Sequence, residues 1–392
     1  MRILMVISQF FPIIGGAEKQ AQLLAKTLLQ KGIEVKIVTG WWKFGTPHKE
    51  TMDGMRIVRN FSCWGMFGII GIRTFGVFAY ALSLGIYLLL HRREYDILHV
   101  HQVLYPAFVS AFVGKGLLKK PILVKMGCSG LTSDTKNIKR FPLGSFQLKY
   151  LLKEMDCLVT VNEEGIKEFL NLGYPLSRIQ YIPNGVATFL DGKTHYDQVL
   201  FLITTVRLDK QKGIDILLKA WARVVTHENN LKLLILGRGP LESELKNMSQ
   251  TLGIGDSVEF IGEVIHVEEY LKKSDIFVLA SRAEGMSNAL LEAMSHGLAC
   301  IATNISGNVE LMGMGDDSKI LKGDFIASPN GLLIQPEDIE GLTKAILFFV
   351  KNQKARENLG RNGRQYIQKN FSIDLVADKY ITLYQRMLNR KS

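Results

Sequence analysis

Two carboxylates, Glu284 and Glu292, bracket the run Gly285-Met286-Ser287-Asn288-Ala289-Leu290-Leu291. Ser287 or Asn288 can cap a helix that His296-Gly297 closes. The free amides at such a helix start attract anions, so a diphosphate can sit over residues 286–290. Glu284 on the loop and Glu292 in the second turn can then face one pocket. As isolated carboxylates they would read as a solvated loop charge and a helix cap. Upstream, Arg207 and Lys212 stand five apart in Val206-Arg207-Leu208-Asp209-Lys210-Gln211-Lys212-Gly213. Across a strand-to-helix turn both cations can converge on one phosphate group. A bound diphosphate needs its charge neutralised, and the sequence has no Asp-x-Asp pair to hold a metal for that task. Arg207, Lys212 and the helix amides are therefore expected to do it without metal, with Lys210 facing solvent. Near the front, Gly15-Gly16 opens a helix after the first strand, where backbone can approach a ligand closely. It lacks the third glycine of a dinucleotide fingerprint and the Lys-Ser/Thr of a P-loop. Asp96-Ile97-Leu98-His99-Val100-His101 puts two histidines on one side of a strand, with His101 nearer its end. A histidine at a strand end is by itself more often structural.

These residues need strands that end together and helices that start there. Ile3–Ile7, Glu34–Thr39, Arg56–Arg59, Ile97–His101, Ile122–Lys125 and Cys157–Val161 read as strands, with Glu18–Lys31 and Phe75–Arg92 as helices between them. A second series reads Leu200–Val206, Lys232–Leu236, Val258–Phe260, Ile276–Leu279 and Ala299–Ala302. Alternation of this kind predicts parallel sheets covered on both faces, an α/β chain of two Rossmann-like domains. The break falls at Ile182–Gln198, where Pro183-Asn184-Gly185 and Asp191-Gly192 supply turns. The expected domains are residues 1–190, residues 191–370, and a C-terminal helix at 371–392 packing back toward the first. Two such domains facing one another bring the carboxyl ends of both sheets to a shared cleft, where ligands of these sheets bind.

At 392 residues the chain exceeds what one core usually holds, and 47% hydrophobic with 22% charged residues suits a folded protein. Four scattered cysteines exclude a Cys-x-x-Cys zinc site and suit a reducing compartment. The apolar run Ile3–Ile7 is too short for a signal peptide and fits a cytoplasmic protein. The net charge of +11 is confined to one half: residues 1–190 carry 23 Lys/Arg against 12 Asp/Glu, and the remainder balances. Such a half implies an anionic partner. Without zinc-finger spacing, arginine-rich runs or RNA-binding aromatic signatures, nucleic acid is not expected. Thr74–Leu90 is 17 residues without a charge, short of the roughly 20 that span a bilayer. It reads first as a largely buried helix, with an interfacial helix as the alternative. The apolar, glycine-broken Trp64–Ile70 before it suits a loop dipping into a membrane surface.

The pattern Glu-Gly-x-x-x-x-x-Leu-Glu-Ala-Met at Glu284–Met294 resembles the signature of the retaining family-4 glycosyltransferases of the GT-B fold. That resemblance implies that Glu284 contacts the transferred sugar and Glu292 grips the ribose diol. It implies that Arg207 and Lys212 neutralise the leaving diphosphate. Gly15-Gly16-x-Glu18 resembles the family loop that approaches donor phosphate and acceptor; Glu18 equally suits a first-turn helix charge. Within the Asp-x-x-His-x-His pattern His101 contacts the donor sugar, and His99 is left structural. Gly237-Arg238-Gly239 resembles the loop near the nucleotide base, and Ile182–Val186 the turn joining the domains. Where the family usually has two adjacent glycines this chain has Gly307-Asn308, which weakens a ligand role for that loop, although Glu310 keeps its place. Glu284, His101, Arg207 and Lys212 thus form the expected catalytic set. Gly15, Gly16, Gly285, Met286, Ser287, Asn288, Ala289, Leu290, Glu292, Gly237 and Arg238 form the expected donor-binding set.

The expected reaction moves a sugar from a UDP- or GDP-sugar to a glycan acceptor, with retention and without metal or other cofactor. The basic first half favours a lipid-linked acceptor in polysaccharide or glycolipid synthesis, with the protein held peripherally on an anionic membrane at its inner face. A sugar-nucleotide epimerase of the same fold would need no basic membrane-facing domain. A non-catalytic membrane-associated relative would have little reason to keep Glu284, Glu292, Arg207 and Lys212 together.

Overall fold

The computed structural model describes residues 1–13, 15–62, 73–128, 133–188, 193, 196, 201–314 and 320–389. The Trp64–Ile70 loop and the Asp191-Gly192 turn anticipated above lie outside them. The chain forms two units, Met1–Gly185 with Ile373–Ser392, and Val186–Ser372. The crossings therefore fall at Gly185/Val186 and Ser372/Ile373, a few residues from the expected bounds at 190, placed by turn chemistry, and 370. The cause is local pairing. Val186 bridges Ser372 in parallel, and the Val186 amide donates to the Phe371 carbonyl at 2.9 Å. On the other side of the crossing, the Gln20 side-chain amide makes two bonds to the Gly185 backbone, at 2.8 and 3.0 Å.

The first unit is built on eight strands: β1 Arg2–Val6, β2 Glu34–Gly40, β3 Lys49–Met52, β4 Met55–Asn60, β5 Ile97–His101, β6 Ile122–Lys125, β7 Cys157–Thr160 and β8 Ile179–Tyr181. Their order is β3-β4-β2-β1-β5-β6-β7-β8, all parallel except the β3–β4 hairpin. Strands buried on both faces are mostly apolar, and β5, β6 and β7 are buried at every position, with His99, His101, Lys125 and Thr160 as their polar members. One face packs Ile3, Met5, Ile37, Leu123 and Val159 against helix Gly16–Gln30 and helix Ile373–Asn389. The other packs Leu4, Val38, Leu98 and Val124 against Arg73–Leu90, Tyr105–Leu117 and Gly144–Glu154.

Helix Arg73–Leu90 divides the two readings made for it. Tyr80, Leu84 and Leu88 are wholly buried, whereas Phe75, Phe78, Leu82, Ile86 and Leu90 on the opposite side are exposed. Among the described residues no helix is long and apolar enough to cross a membrane.

The second unit holds β9 Phe201–Thr205, β10 Lys232–Leu236, β11 Val258–Gly262, β12 Ile276–Leu279, β13 Ala299–Thr303, β14 Phe325–Ser328 and β15 Gly331–Ile334. They run in the order β11-β10-β9-β12-β13-β15-β14, parallel except for the β14–β15 hairpin. Four strands escaped the hydrophobic-run reading. β3 and β14 are antiparallel edge strands whose exposed residues break the apolar pattern. β8 is only three residues long and β15 four. The turn at Asp53-Gly54, both with positive φ, is the primed hairpin signal that marks β3 in retrospect.

Candidate active site

Three adjacent strands of the second sheet, β10, β9 and β12, deliver their carboxyl-terminal loops side by side. The Arg207–Gly213 loop leaves β9 with Asp209 accepting the Gln211 amide at 3.0 Å, which starts a single 3-10 turn at Lys210–Lys212. Gly213 then sits at φ +64°, and a Cβ there would come within 2.0 Å of the Ala280 carbonyl oxygen. Only glycine lets this loop press onto the end of β12. Two bonds bind the loops together: the Gln211 side-chain amide donates to Ala283 O at 2.7 Å, and the Arg282 amide donates to Gln211 O at 2.7 Å. Arg282 itself pairs both guanidinium nitrogens with Asp215 at 2.8 Å and also meets Glu337, partners that hold its charge firmly. β10 contributes Gly237-Arg238, with Gly237 donating to Gly262 and exposed Arg238 receiving the Leu208 amide at 3.0 Å.

That scaffold brings Lys212 to Glu284. Lys212 Nζ lies 2.7 Å from Glu284 Oε1, and the Ser281 hydroxyl donates to the same oxygen at 2.7 Å. The side chains are 21% and 8% exposed, so this is a mostly desolvated ion pair rather than a solvated loop charge. Arg207 behaves differently: it is 71% exposed and lies 3.7 Å from Asp209, leaving its guanidinium reachable from solvent. Helix Asn288–Ser295 follows directly. Ser287 caps it, its hydroxyl accepting the Leu290 amide at 3.3 Å, with Gly285, Met286, Asn288 and Ala289 forming the approach and first turn. Glu292 stands half-buried in the second turn. The Ser306–Leu311 helix supports this loop from beneath. Asn308 is fully buried, its amide donating to Thr303 O at 3.1 Å, while the Thr303 hydroxyl donates to Ser281 O at 2.7 Å. The asparagine that departs from the glycine pair thus faces inward and braces the strand end that carries Ser281.

In the first unit, Gly15 is extended and Gly16 opens the Gly16–Gln30 helix, both exposed at the end of the loop after β1. Glu18 folds back in the first turn; burial pushes its carboxyl upward against hydrogen bonds from the Gly15 and Glu18 amides. His101 ends β5 but is only 2% exposed, stacked on His99 with centroids 4.4 Å apart. Burial pulls it down to about 3, with nearby Lys125 adding repulsion, so its imidazole is neutral at physiological pH. Its Nε2 has no hydrogen-bond partner among the described residues. His99 bonds the Tyr384 hydroxyl at 2.7 Å, a position inside the core.

Two further residues carry no motif. Lys125 ends β6 buried, donating to Asn184 at 2.8 Å, and burial lowers it to about 8. A lysine closing an otherwise apolar four-residue strand was the available signal. Buried Asp134 accepts the amides of Val103, Gly127 and Cys128 at 2.9, 2.8 and 3.2 Å, tying the loops after β5 and β6 together. Burial pushes its carboxyl up to about 6.

Comparison with known proteins matches this architecture. Residues 14–188 match glycosyltransferase family 4, and residues 189–366 match glycosyl transferases group 1. The chain is 25% identical to N-acetyl-alpha-D-glucosaminyl L-malate synthase of Bacillus anthracis over 96% of both chains. It is 30% identical to the UDP-Gal:alpha-D-GlcNAc-diphosphoundecaprenol alpha-1,3-galactosyltransferase of Escherichia coli, over 79% of this chain and 80% of that one. The fold superimposes on sucrose-phosphate synthase from Thermosynechococcus elongatus with TM-score 0.79 at 19% identity, covering all of both chains. With both halves matched by these family models and 30% identity held over four-fifths of a named galactosyltransferase, the chain belongs to the family-4 glycosyltransferases of the GT-B fold.

Proposed function

We propose that the protein transfers a sugar from a UDP- or GDP-sugar to a lipid-linked glycan acceptor, retaining the anomeric configuration, on the inner face of an anionic membrane. The observation that carries the reading is the Lys212–Glu284 pair beside the Asn288–Ser295 helix start. A diphosphate over residues 286–290 meets the positive end of the Asn288–Ser295 helix, the exposed Arg207 guanidinium and the Lys212 ammonium. These neutralise the charge that builds as the C1–O bond to phosphate breaks. Glu284 holds Lys212 in place beforehand and presents its second oxygen to the sugar hydroxyls. Glu292 takes the ribose diol. The acceptor hydroxyl attacks C1 from the face the diphosphate leaves, and its proton passes to the departing phosphate oxygen. With the cations supplied by the chain, the proposed chemistry needs no metal ion.

The lipid-linked acceptor is supported by the basic first half and by the name of the Escherichia coli relative, which acts on a diphosphoundecaprenol-linked sugar. A panel of sugar nucleotides scored for nucleoside diphosphate release, with and without membrane lipid extract, tests the assignment. Release that lipid extract stimulates, with an axial product anomer from an axial donor by NMR, is expected. An inverted anomer rules out retention, and EDTA inhibition reversed by Mn²⁺ rules out the metal-free scheme.

A further inference from the structure

Apolar side chains left in water are concentrated on one part of the first unit. On helix Arg73–Leu90 the exposed residues Phe75, Phe78, Leu82, Ile86 and Leu90 recur at intervals of three and four, one unbroken stripe. Leu82 at its centre is 68% exposed. The opposite stripe of the same helix is core, so the helix is apolar all round and has only one protein-facing side. Its neighbour continues the surface. A Cβ on Gly85 would touch Val113 at 3.6 Å and Val109 at 3.9 Å, which sets helix Tyr105–Leu117 directly alongside. That helix exposes Phe112 and Leu117. Phe112 stacks on Phe108, whose ring meets Phe146 at 6.2 Å on helix Gly144–Glu154. Phe146 is exposed, and Leu143 at the head of its helix is 78% exposed. Three helices thus share one uncovered apolar face.

The fringe of that face is basic. Residues 73–155 contain twelve Lys/Arg against four Asp/Glu. Arg92 and Arg93 stand exposed just beyond the end of the first stripe, Lys119 follows Leu117, and Lys139, Arg140, Lys149 and Lys153 flank Leu143 and Phe146. Of the acids, Asp96 is engaged by Arg2, Glu94 by Lys36 and Glu154 by Lys153, while Asp134 is buried. An apolar face rimmed by an excess of exposed cations is complementary to acyl chains beneath anionic headgroups, and poorly complementary to a second copy of the same cationic face.

We propose that the three-helix face bearing Phe75, Leu82, Ile86, Phe112, Leu143 and Phe146 is where this protein enters an anionic bilayer. The inference rests on the reading of a membrane-borne acceptor and assigns its docking surface to residues as far apart in sequence as Phe75 and Phe146. Docking inserts side chains into the interface without a span.

The test is flotation of the full chain with vesicles of phosphatidylcholine, with and without phosphatidylglycerol. Two double variants, Leu82→Ser/Ile86→Ser and Phe112→Ser/Phe146→Ser, should each lose binding to both vesicle types by at least tenfold, because each removes two exposed apolar anchors. Each basic residue near an anionic leaflet strengthens attachment about fivefold. Lys139→Gln/Arg140→Gln should therefore cost about thirtyfold on phosphatidylglycerol vesicles and little on phosphatidylcholine. Melting curves matching the parent establish that the variants fold, since all six residues lie outside the core. Variants that float like the parent overturn the proposal, as does a parent that floats with neither vesicle. A lipid-free dimer that Phe112→Ser/Phe146→Ser dissociates also overturns it, in favour of self-association. Nucleoside diphosphate release from the sugar-nucleotide panel, measured with detergent-solubilised lipid extract as acceptor and no vesicles, keeps the two readings apart. Flotation without release leaves docking standing and removes glycosyl transfer, and release without flotation does the reverse.

Discussion

Replacing Lys212 with methionine removes the ammonium while keeping most of the stem, and leaves the Glu284 carboxylate with the Ser281 hydroxyl alone. At 2.7 Å the gross attraction of the pair is about 6 kcal/mol at an effective dielectric constant of roughly 20. Desolvation offsets much of that in the intact pair, so the cost of breaking it is set mainly by the charge left behind. Stranding one member of a fully buried pair costs about 3–5 kcal/mol. Glu284 is nearly closed to water but Lys212 is one-fifth exposed, so water can enter where the ammonium stood. About 2–3 kcal/mol is the appropriate figure. For a unit of this size that lowers the melting transition by about 4–12 °C. The double variant Lys212→Met/Glu284→Gln removes the stranded charge and should recover more than half of the loss. A thermal melt followed by a double-mutant cycle measures this, with nucleotide affinity recorded separately because Lys212 is also assigned to the diphosphate. A single variant melting within about 1 °C of the parent, or strictly additive losses, would show that the pair is solvated and the reasoning about its burial wrong.

Acid should destabilise the first unit. His99 and His101 are held neutral by burial, while in the unfolded chain both take up protons below about 6.5, so their contribution falls with pH. Asp134 acts oppositely between about 6 and 3.8, where the native state alone holds its proton, so it offsets part of the loss in that window. Denaturant melts from pH 7 to 4.5 measure the slope; His101→Gln should flatten it by one proton, and an unchanged slope counts against neutral burial. Gly307→Ala should weaken donor binding at least tenfold without touching the ligand. Its Cβ would lie 1.9 Å from the Gly285 carbonyl oxygen and push the Glu284 loop aside; calorimetry showing parent affinity would contradict this. Glu292→Ala should lose about 1.5–3 kcal/mol of nucleotide affinity, the contribution of a charged acceptor to a hydroxyl pair, and an unaltered dissociation constant would place the ribose elsewhere.

The strands that were legible in the sequence are those whose surroundings leave one choice. Ile97–His101, Ile122–Lys125, Lys232–Leu236 and Ile276–Leu279 form with the bounds read from their runs, because a strand buried on both faces is apolar at most positions. The helix start at Ser287 was readable for the same reason: cap chemistry is local. What could not be read were facts settled by distant partners. The pairing of Lys212 with Glu284 spans 72 positions. His101 is enclosed because Lys125 and the His99 ring close around it, which no periodicity reports. Helix Arg73–Leu90 is apolar on every side, so no pattern within it could say which side the protein covers.

The course of the backbone across the two crossings has a consequence for synthesis. Ile373, Val376, Ala377, Tyr380 and Tyr384 complete the first unit's core, together with Ile3, Met5 and Leu24. They leave the ribosome after the whole of Val186–Ser372. The nascent amino-terminal half must therefore wait with one sheet face covered only in part, by helix Gly16–Gln30, and with His99 lacking the Tyr384 hydroxyl, while the second unit is made and can close. Order of emergence and order of completion are opposed: the unit begun first is finished last. During that interval a half-covered sheet face and the exposed three-helix face coexist on one unfinished unit, which raises its exposure to aggregation.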